Sequence, residues 1–245
     1  MQTALIGTLV AAILCIGAHA QEATELSAND LYAEFGGSQQ WLSSESSEPK
    51  DPLQPVNRFM FGVNDKLYFW LLKPLGVGWS KVAPQPAREG MRNFFGNLRT
   101  PVRTVNALLQ GNGGKAGEEL RRFGINTTIG LLGVRDAAKK RGVPAPSPED
   151  LGQSLAVYRV GAGWYIVWPI FGPSNIRDSI GMFGDRMLDP VTYTGDASFP
   201  IGLSETINRT SLQIGRYEKM KSDALDPYTF MRDVFQQRRA KLIKE

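Results

Sequence analysis

Residues 55–73 read PVNRFMFGVNDKLYFWLLK, and the fold class turns on how this stretch is wound. At helical spacing, Arg58, Gly62, Asp65, Lys66 and Lys73 gather near one narrow stripe. Phe59, Met60, Phe61, Val63, Leu67, Tyr68, Phe69, Trp70, Leu71 and Leu72 cover most of the remaining circumference. A surface helix of a soluble domain carries a narrower apolar stripe than this. The charges in mid-segment argue against a simple spanning helix. Two readings stay open: a helix lying in or on a bilayer with Tyr68 and Trp70 at headgroup level, or the central helix of a core. The membrane reading predicts lipid contact through Phe59, Phe61, Leu67, Tyr68 and Trp70.

Upstream, residues 4–18 form an unbroken apolar run followed by Ala18-His19-Ala20, the small-x-small pattern of a signal-peptidase site. Residues 1–20 are therefore expected to be a signal peptide, although no Lys or Arg precedes the run. They contain Cys15 and His19, the chain's one cysteine and one histidine. Cleavage leaves no thiol and no imidazole, which excludes Ser-His-Asp and Cys-His catalysis and disfavours zinc chemistry. A second reading takes Ala12-Ile13-Leu14-Cys15 as a lipoprotein box with Cys15 acylated. Leu14 stands where that box wants a small residue. Residues 21–50 are polar, ending in Ser43-Ser44-Glu45-Ser46-Ser47-Glu48, and read as a tether. Residues 51–245 are expected to form a single helical domain.

The 28 basic and 24 acidic residues give a net charge of +4, far from the dense basic stripe of a nucleic-acid binder. The 26 glycines and 15 prolines cut the chain into short segments. Asp51-Pro52 opens the folded part, Asp serving as a cap. Residues 87–98 place Met91, Phe94, Phe95 and Leu98 on one face, with Arg88 and Arg92 opposite. Thr100 caps the next helix, which Gly111 ends. Residues 115–128 set Ala116, Leu120, Phe123 and Thr127 on one face, with Glu118 and Arg122 paired four apart. Further helices are expected over 134–141, 178–188, 204–221 and 226–244. A proline-rich loop over 142–148 separates two halves. Residues 163–173 are apolar and read as extended or reentrant. No set of alternating strands stands out. The class is mostly α.

Weak motifs carry little. Gly111-Asn112-Gly113-Gly114 lacks the Lys-Ser/Thr of a phosphate loop and reads as a turn. The acidic pairs Glu149-Asp150 and Asp185/Asp189 suit caps better than acid–base catalysis. Arg177-Asp178 suits either a phosphate or a helix cap.

The chain nevertheless carries an ordered series of motifs. It begins with Asp51-Pro52-Leu53, Asn57-Arg58, Pro84-Gln85-Pro86-Ala87-Arg88, Asn93-Phe94, Asn97-Leu98, Asn106 and Leu109-Gln110-Gly111. Arg122-Phe123, Asn126-Thr127, Gly130, Gly133, Asp136, Glu149-Asp150 and Gly152-Gln153-Ser154-Leu155 follow. Gly161-Ala162-Gly163-Trp164-Tyr165, Trp168-Pro169, Gly172-Pro173-Ser174, Arg177-Asp178, Asp226-Pro227-Tyr228 and Arg232 complete it. In order and spacing, from Asp51 to about Arg239, the series resembles the MlaA (VacJ-like) family. The resemblance implies a ring-like helical protein around an amphipathic channel, seated in the inner leaflet of a Gram-negative outer membrane. It implies a porin trimer as partner, phospholipid misplaced in the outer leaflet as cargo, and a soluble periplasmic lipid carrier as recipient. The resemblance implies that this carrier delivers to an inner-membrane ABC transporter, so that this chain needs no nucleotide site of its own; no cofactor, metal or catalytic residue is expected. Family members are usually lipoproteins, from which Leu14 departs.

A phospholipid path needs apolar wall for the tails and polar wall for the phosphate. Asn57, Arg58, Arg122, Asn126 and Arg177 are the candidates, each inside a matched motif among apolar neighbours. The alternative for the arginines is capping or pairing with Asp65, Glu118 or Asp178. A rival function is a porin-binding scaffold that moves no lipid. A phospholipase is weakened by the missing histidine.

Overall fold

The computed structural model describes residues 51–145 and 148–244. The expected signal peptide, Cys15 and the tether over 21–50 lie outside the described residues. Helix α1 (Gln54–Leu67) runs through a π turn (Tyr68–Leu72) straight into α2 (Lys73–Val82). Pro74, in the first turn of α2, lacks an N–H, and its ring would strike the carbonyl four residues back, that of Trp70. The backbone widens just before it: the Lys73 N–H bonds the Tyr68 carbonyl, one residue further back than an α-helix allows. Helices α3 (Gln85–Leu98), α4 (Thr100–Leu109) and α5 (Gly113–Thr128) follow. Next come α6 (Leu151–Val157), strands β1 (Tyr165–Trp168) and β2 (Gly172–Asn175), and α7 (Ile176–Arg186). Helices α8 (Ser198–Leu212), α9 (Arg216–Asp223) and α10 (Pro227–Lys244) complete the described residues.

Residues 163–173 resolve into an antiparallel hairpin pairing Tyr165 with Asn175 and Trp168 with Gly172. It replaces a third strand with two asparagines of α1. The Asn57 amide donates to the Tyr165 carbonyl at 3.0 Å and accepts from the Val167 N–H at 2.9 Å. Asn64 donates to the Trp168 carbonyl at 2.8 Å and accepts from the Ile170 N–H at 2.6 Å. The hairpin edge is thus satisfied by side chains. Tyr165, Val167 and Tyr228 bury together here, with Met60, Phe61 and Phe235 against them. Elements after the proline-rich loop pack back on those before it, α8 on α2 and α3, the hairpin on α1.

Several expectations change. No helix covers 134–141; only a 3-10 turn at Lys139–Arg141 forms. Residues 204–221 split at Gly215, whose φ of 89° ends the run before α9. Asp51 caps nothing: its carboxylate accepts from the Asn57 amide at 2.9 Å and from the Tyr228 hydroxyl. Thr100 caps nothing either, and its hydroxyl accepts from Arg103 at 3.2 Å. Asn112 does cap α5, accepting from the Lys115 N–H at 3.0 Å, so the glycine-rich stretch turns at Gly111-Asn112 and its last two glycines, Gly113 and Gly114, open the helix.

Burial runs opposite to that of a water-soluble domain. The bulkiest fully enclosed side chains are Gln153, Asn57, Asn106, Asn208, Asp185 and Ser154. Trp70 is 78% exposed and Phe59 66%. On α5 the expected inner face splits: Ala116 is buried and Thr127 half-buried, but Leu120 and Phe123 point outward, and Glu119, Arg122 and Asn126 are buried instead. On α7, Ile176, Ile180, Phe183 and Met187 form an exposed stripe, and Arg177, Ser179 and Asp185 lie inside. Polar groups normally face water and buried ones must be paired. Here the helices carry their apolar stripes toward the surroundings. Among the described residues, no helix is long and apolar enough to cross a membrane.

Candidate functional site

Where α3, α4, α5 and α8 meet they enclose a cavity of about 330 Å³. Arg92, Asn93, Gly96, Asn97, Arg99, Thr100, Arg103, Arg122, Asn126, Asp136, Glu205 and Arg209 line it. Each helix contributes side chains four apart, which stand on one face: Asn93 with Asn97, Arg99 with Arg103, Arg122 with Asn126, Glu205 with Arg209.

Most of the guanidinium groups are held in ion pairs. Arg99 and Arg209 share Glu205 at 2.6 and 3.0 Å, and Arg103 meets Glu119 at 2.8 Å. Arg122 grips both oxygens of Asp136 at 2.8 Å and donates to the Val143 and Pro144 carbonyls at 3.0 and 2.5 Å. Burial pushes the Asp136 carboxyl up, but the Lys139 backbone N–H, the Arg122 guanidinium and the Asn126 amide more than offset this and hold it below the usual carboxylate range. Arg92 is exposed and pairs with no carboxylate among the described residues. Five guanidiniums thus meet three carboxylates, Asp136, Glu205 and Glu119. The surplus of two positive charges, with asparagine amides beside it, suits an anion.

Beside the cavity, a turn over Ile129-Gly130-Leu131-Leu132-Gly133-Val134 packs against residues that line it. Leu131 and Leu132 both take positive φ, 55° and 59°. Such backbone costs a non-glycine residue about 1–3 kcal/mol. Their side chains are nevertheless 60% and 63% exposed. The turn is strapped to the cavity wall. The Gly133 N–H donates to the Asn126 carbonyl at 2.8 Å, and the Asn93 amide donates to the Val134 carbonyl at 3.3 Å. Gly133, at φ 94°, sits so near Asn97 that an added Cβ would fall 2.4 Å from the Asn97 Cβ.

Of the residues singled out in the sequence, the structure brings Arg122 and Asn126 to this cavity and leaves three elsewhere. Asn57 is enclosed beside the hairpin. Arg58 is exposed, pairs with Asp226 at 2.5 Å rather than Asp65, and lies 4.6 Å from the Tyr228 ring centroid. Arg177 is buried and bonds Asp178 at 2.9 Å. Arg122 chooses Asp136 over the expected Glu118. Of the expected membrane contacts, Phe59 and Trp70 are exposed, whereas Phe61, Leu67 and Tyr68 are half-buried. Phe61 packs edge-on against Tyr228 at 6.0 Å and Tyr68 against Tyr217 at 4.7 Å. Sequence reasoning missed Arg92, Arg99, Arg103, Glu205 and Arg209. Their signal is polar pairs at four-residue spacing on several successive helices.

No group of three or more metal-binding side chains occurs among the described residues. The arrangement offers charge and hydrogen-bond donors to an anion, with apolar surface alongside.

A family model described as MlaA lipoprotein matches residues 49–242. A Shigella flexneri protein named intermembrane phospholipid transport system lipoprotein MlaA is 32% identical over 197 residues, 77% of this chain and 76% of its own. The Escherichia coli (strain K12) protein of the same name is similar to the same degree. A Rickettsia felis protein is 30% identical over 234 residues, 94% of this chain and 92% of its own. A solved structure from work on the structural basis for maintenance of bacterial outer membrane lipid asymmetry aligns with TM-score 0.71 at 31% identity, over 79% of this chain and 99% of that one.

Proposed function

This chain belongs to the MlaA lipoprotein family, and from that premise we propose that it removes mislocalised phospholipid from the outer leaflet of the outer membrane and passes it to a soluble periplasmic lipid carrier. Residues 1–20 direct export, residues 21–50 tether the domain over 51–245, and the domain sits at the periplasmic face of the membrane beside a porin trimer. The helices ring an amphipathic passage, and the protein performs no bond-breaking chemistry. Direction comes from its partners and from the lipid gradient.

The observation that carries this reading is the reversed burial: apolar stripes outward on α2, α5 and α7, and paired polar groups inward around a cationic cavity. The outward stripes suit acyl chains, each large side chain contributing roughly 1.5–3 kcal/mol when removed from water. The inward face offers a phosphodiester a route that avoids the cost of an unpaired charge in a low-dielectric medium. Arg122 and Asn126 lie on that route, with Arg92, Arg99 and Arg209.

The test is transfer of a fluorescent phospholipid from vesicles holding the full protein to the soluble carrier. Acceleration over empty vesicles, together with co-purified phospholipid in native mass spectrometry, is expected. Porin binding without either would leave a scaffold and overturn the transport reading.

A further inference from the structure

We propose that the arginine cavity and the leucine turn strapped to its wall form one capture site for a single phospholipid, with the phosphate drawn into the cavity beside Arg92 and the acyl chains laid on Leu131 and Leu132. This deepens the transport reading and rests on it.

Three observations converge. First, five guanidiniums meet three carboxylates at the cavity, and the unpaired one, Arg92, is exposed to an incoming ligand. The charge surplus calls for an anion, and a phosphodiester supplies it. Second, a volume of about 330 Å³ lies at the small end of ligand sites, roughly 300–1,000 Å³. It has room for a headgroup but not for two acyl chains, which must remain outside. Third, the backbone holds conformational strain to present apolar side chains to the surroundings on a turn tied to the cavity wall. Leu131 and Leu132 hold positive φ in a turn that glycine would adopt freely. Ile129, Leu131, Leu132 and Val134 are 56%, 60%, 63% and 43% exposed. The straps holding this turn come from Asn93 and Asn126, both of which line the cavity. Headgroup seat and apolar apron are therefore one rigid unit.

The occupant is an amphiphile with an anionic phosphate. Inorganic phosphate would satisfy the charge and leave the leucines in solvent. An uncharged apolar ligand would leave the positive surplus unmatched. Only a molecule with both parts covers both surfaces.

The experiment measures binding of dihexanoyl-phosphatidylglycerol, and separately of inorganic phosphate, to the detergent-solubilised full chain. Wild type is compared with Arg92→Gln and with the double variant Leu131→Gly/Leu132→Gly. Arg92 is exposed and the two glycines relieve positive φ, so both variants should melt at or above the wild-type temperature. Each should weaken lipid binding about tenfold or more. Inorganic phosphate should bind more weakly than the lipid, lose affinity with Arg92→Gln, and be indifferent to the leucine change. Wild-type lipid binding in either variant overturns the capture site, as does inorganic phosphate binding as tightly as the lipid. Vesicle-to-carrier transfer separates the two levels. Wild-type transfer that both variants retain in full sinks this site alone, whereas no transfer by wild type sinks the function.

Discussion

Asn57 and Asn64 stand seven residues apart on α1, on the same side of the helix, and together they occupy the place of a third β-strand beside the hairpin. Each uses both ends of its amide, one to donate and one to accept. An amide sets donor and acceptor on separate atoms, and Asn carries it on a shorter stem than Gln.

Replacing either asparagine strands two backbone groups of the hairpin. An unsatisfied buried group costs about 1–3 kcal/mol. Asn57→Ala and Asn64→Ala should each destabilise by about 2–4 kcal/mol in thermal melts. Asn64→Ala should also raise hydrogen exchange at Ile170, which holds φ 72° at the tip of the hairpin. Exchange unchanged at 165–170 in both variants would show that the hairpin stands without them.

Arg122 ties α5 to Asp136 and to the loop at 143–144. Arg122 is buried and Asp136 half-buried. Removing the arginine strips that carboxylate and two loop carbonyls of their donor. Together this costs about 3–5 kcal/mol, the order seen when a buried pair loses one member. Arg122→Ala should therefore unfold near 37 °C or lose most of its stability margin. Asp136→Asn should be milder and should leave the cavity one unit more positive, tightening binding of an anionic phospholipid. Weaker binding by Asp136→Asn would contradict a cavity selected for anions.

The exposed apolar side chains of the π turn and α2 should hold the domain to lipid. The triple variant Trp70→Ser/Leu71→Ser/Val82→Ser should stay folded by circular dichroism and shift from the membrane fraction to the soluble one. Phe61→Ser should instead unfold the protein, since Phe61 packs on Tyr228 in the apolar cluster and core truncation there costs about 3–5 kcal/mol. A triple variant that remains wholly membrane-bound would move the anchor elsewhere.

Acid should weaken the fold. Burial pushes the Asp136, Asp150 and Glu218 carboxyls up, but the Lys139 N–H with Arg122, Arg239, and Lys73 respectively more than offset it. Asp226 is lowered by Arg58 and Thr229. All four titrate lower folded than unfolded. Each therefore contributes stability that is fully present above the ordinary carboxylate range of about pH 4 and is lost as pH falls through the folded value. The melting temperature should be level from pH 7 to about 5 and drop below about 4. A melting temperature that rises on acidification would reverse the sign.

Processing is open to intact-mass measurement. Ala18-His19-Ala20 meets a signal peptidase's needs better than Leu14-Cys15 meets those of lipoprotein maturation. The mature chain should begin at Gln21 with no acyl mass. A diacyl or triacyl mass on Cys15 would overturn this.

Much of the fold was written in punctuation. Pro55, Pro86, Pro101 and Pro227 stand in the first turns of helices, Gly111 just past the end of α4 and Gly215 just before α9, so α3, α4 and α10 are legible within a few residues. Which way the helices face was not legible, because periodicity is identical for a helix and its inside-out counterpart. That ambiguity assigned Leu120 and Phe123 to the interior of α5 and hid the arginines that line the cavity. The hairpin is legible in part: residues 163–173 read as extended or reentrant, and the extended reading holds, but its outer edge is completed by two α1 side chains that no strand pattern announces. The π turn follows from Pro74, a signal that was present but masked by the apolar run before it.

The polar interior also shapes how the protein should respond to temperature. Exposure of apolar surface raises heat capacity on unfolding and exposure of polar surface lowers it, giving about 12–15 cal/mol/K per residue in soluble domains. Here the groups released on unfolding include Gln153, Asn106, Asn208 and Asp185, while on the proposed membrane placement lipid or detergent would already cover the outward apolar stripes. The heat-capacity increment should fall well below that range, and the curve of stability against temperature should be correspondingly flat. Such a protein loses little stability on cooling, a property suited to a membrane whose temperature is set by the environment.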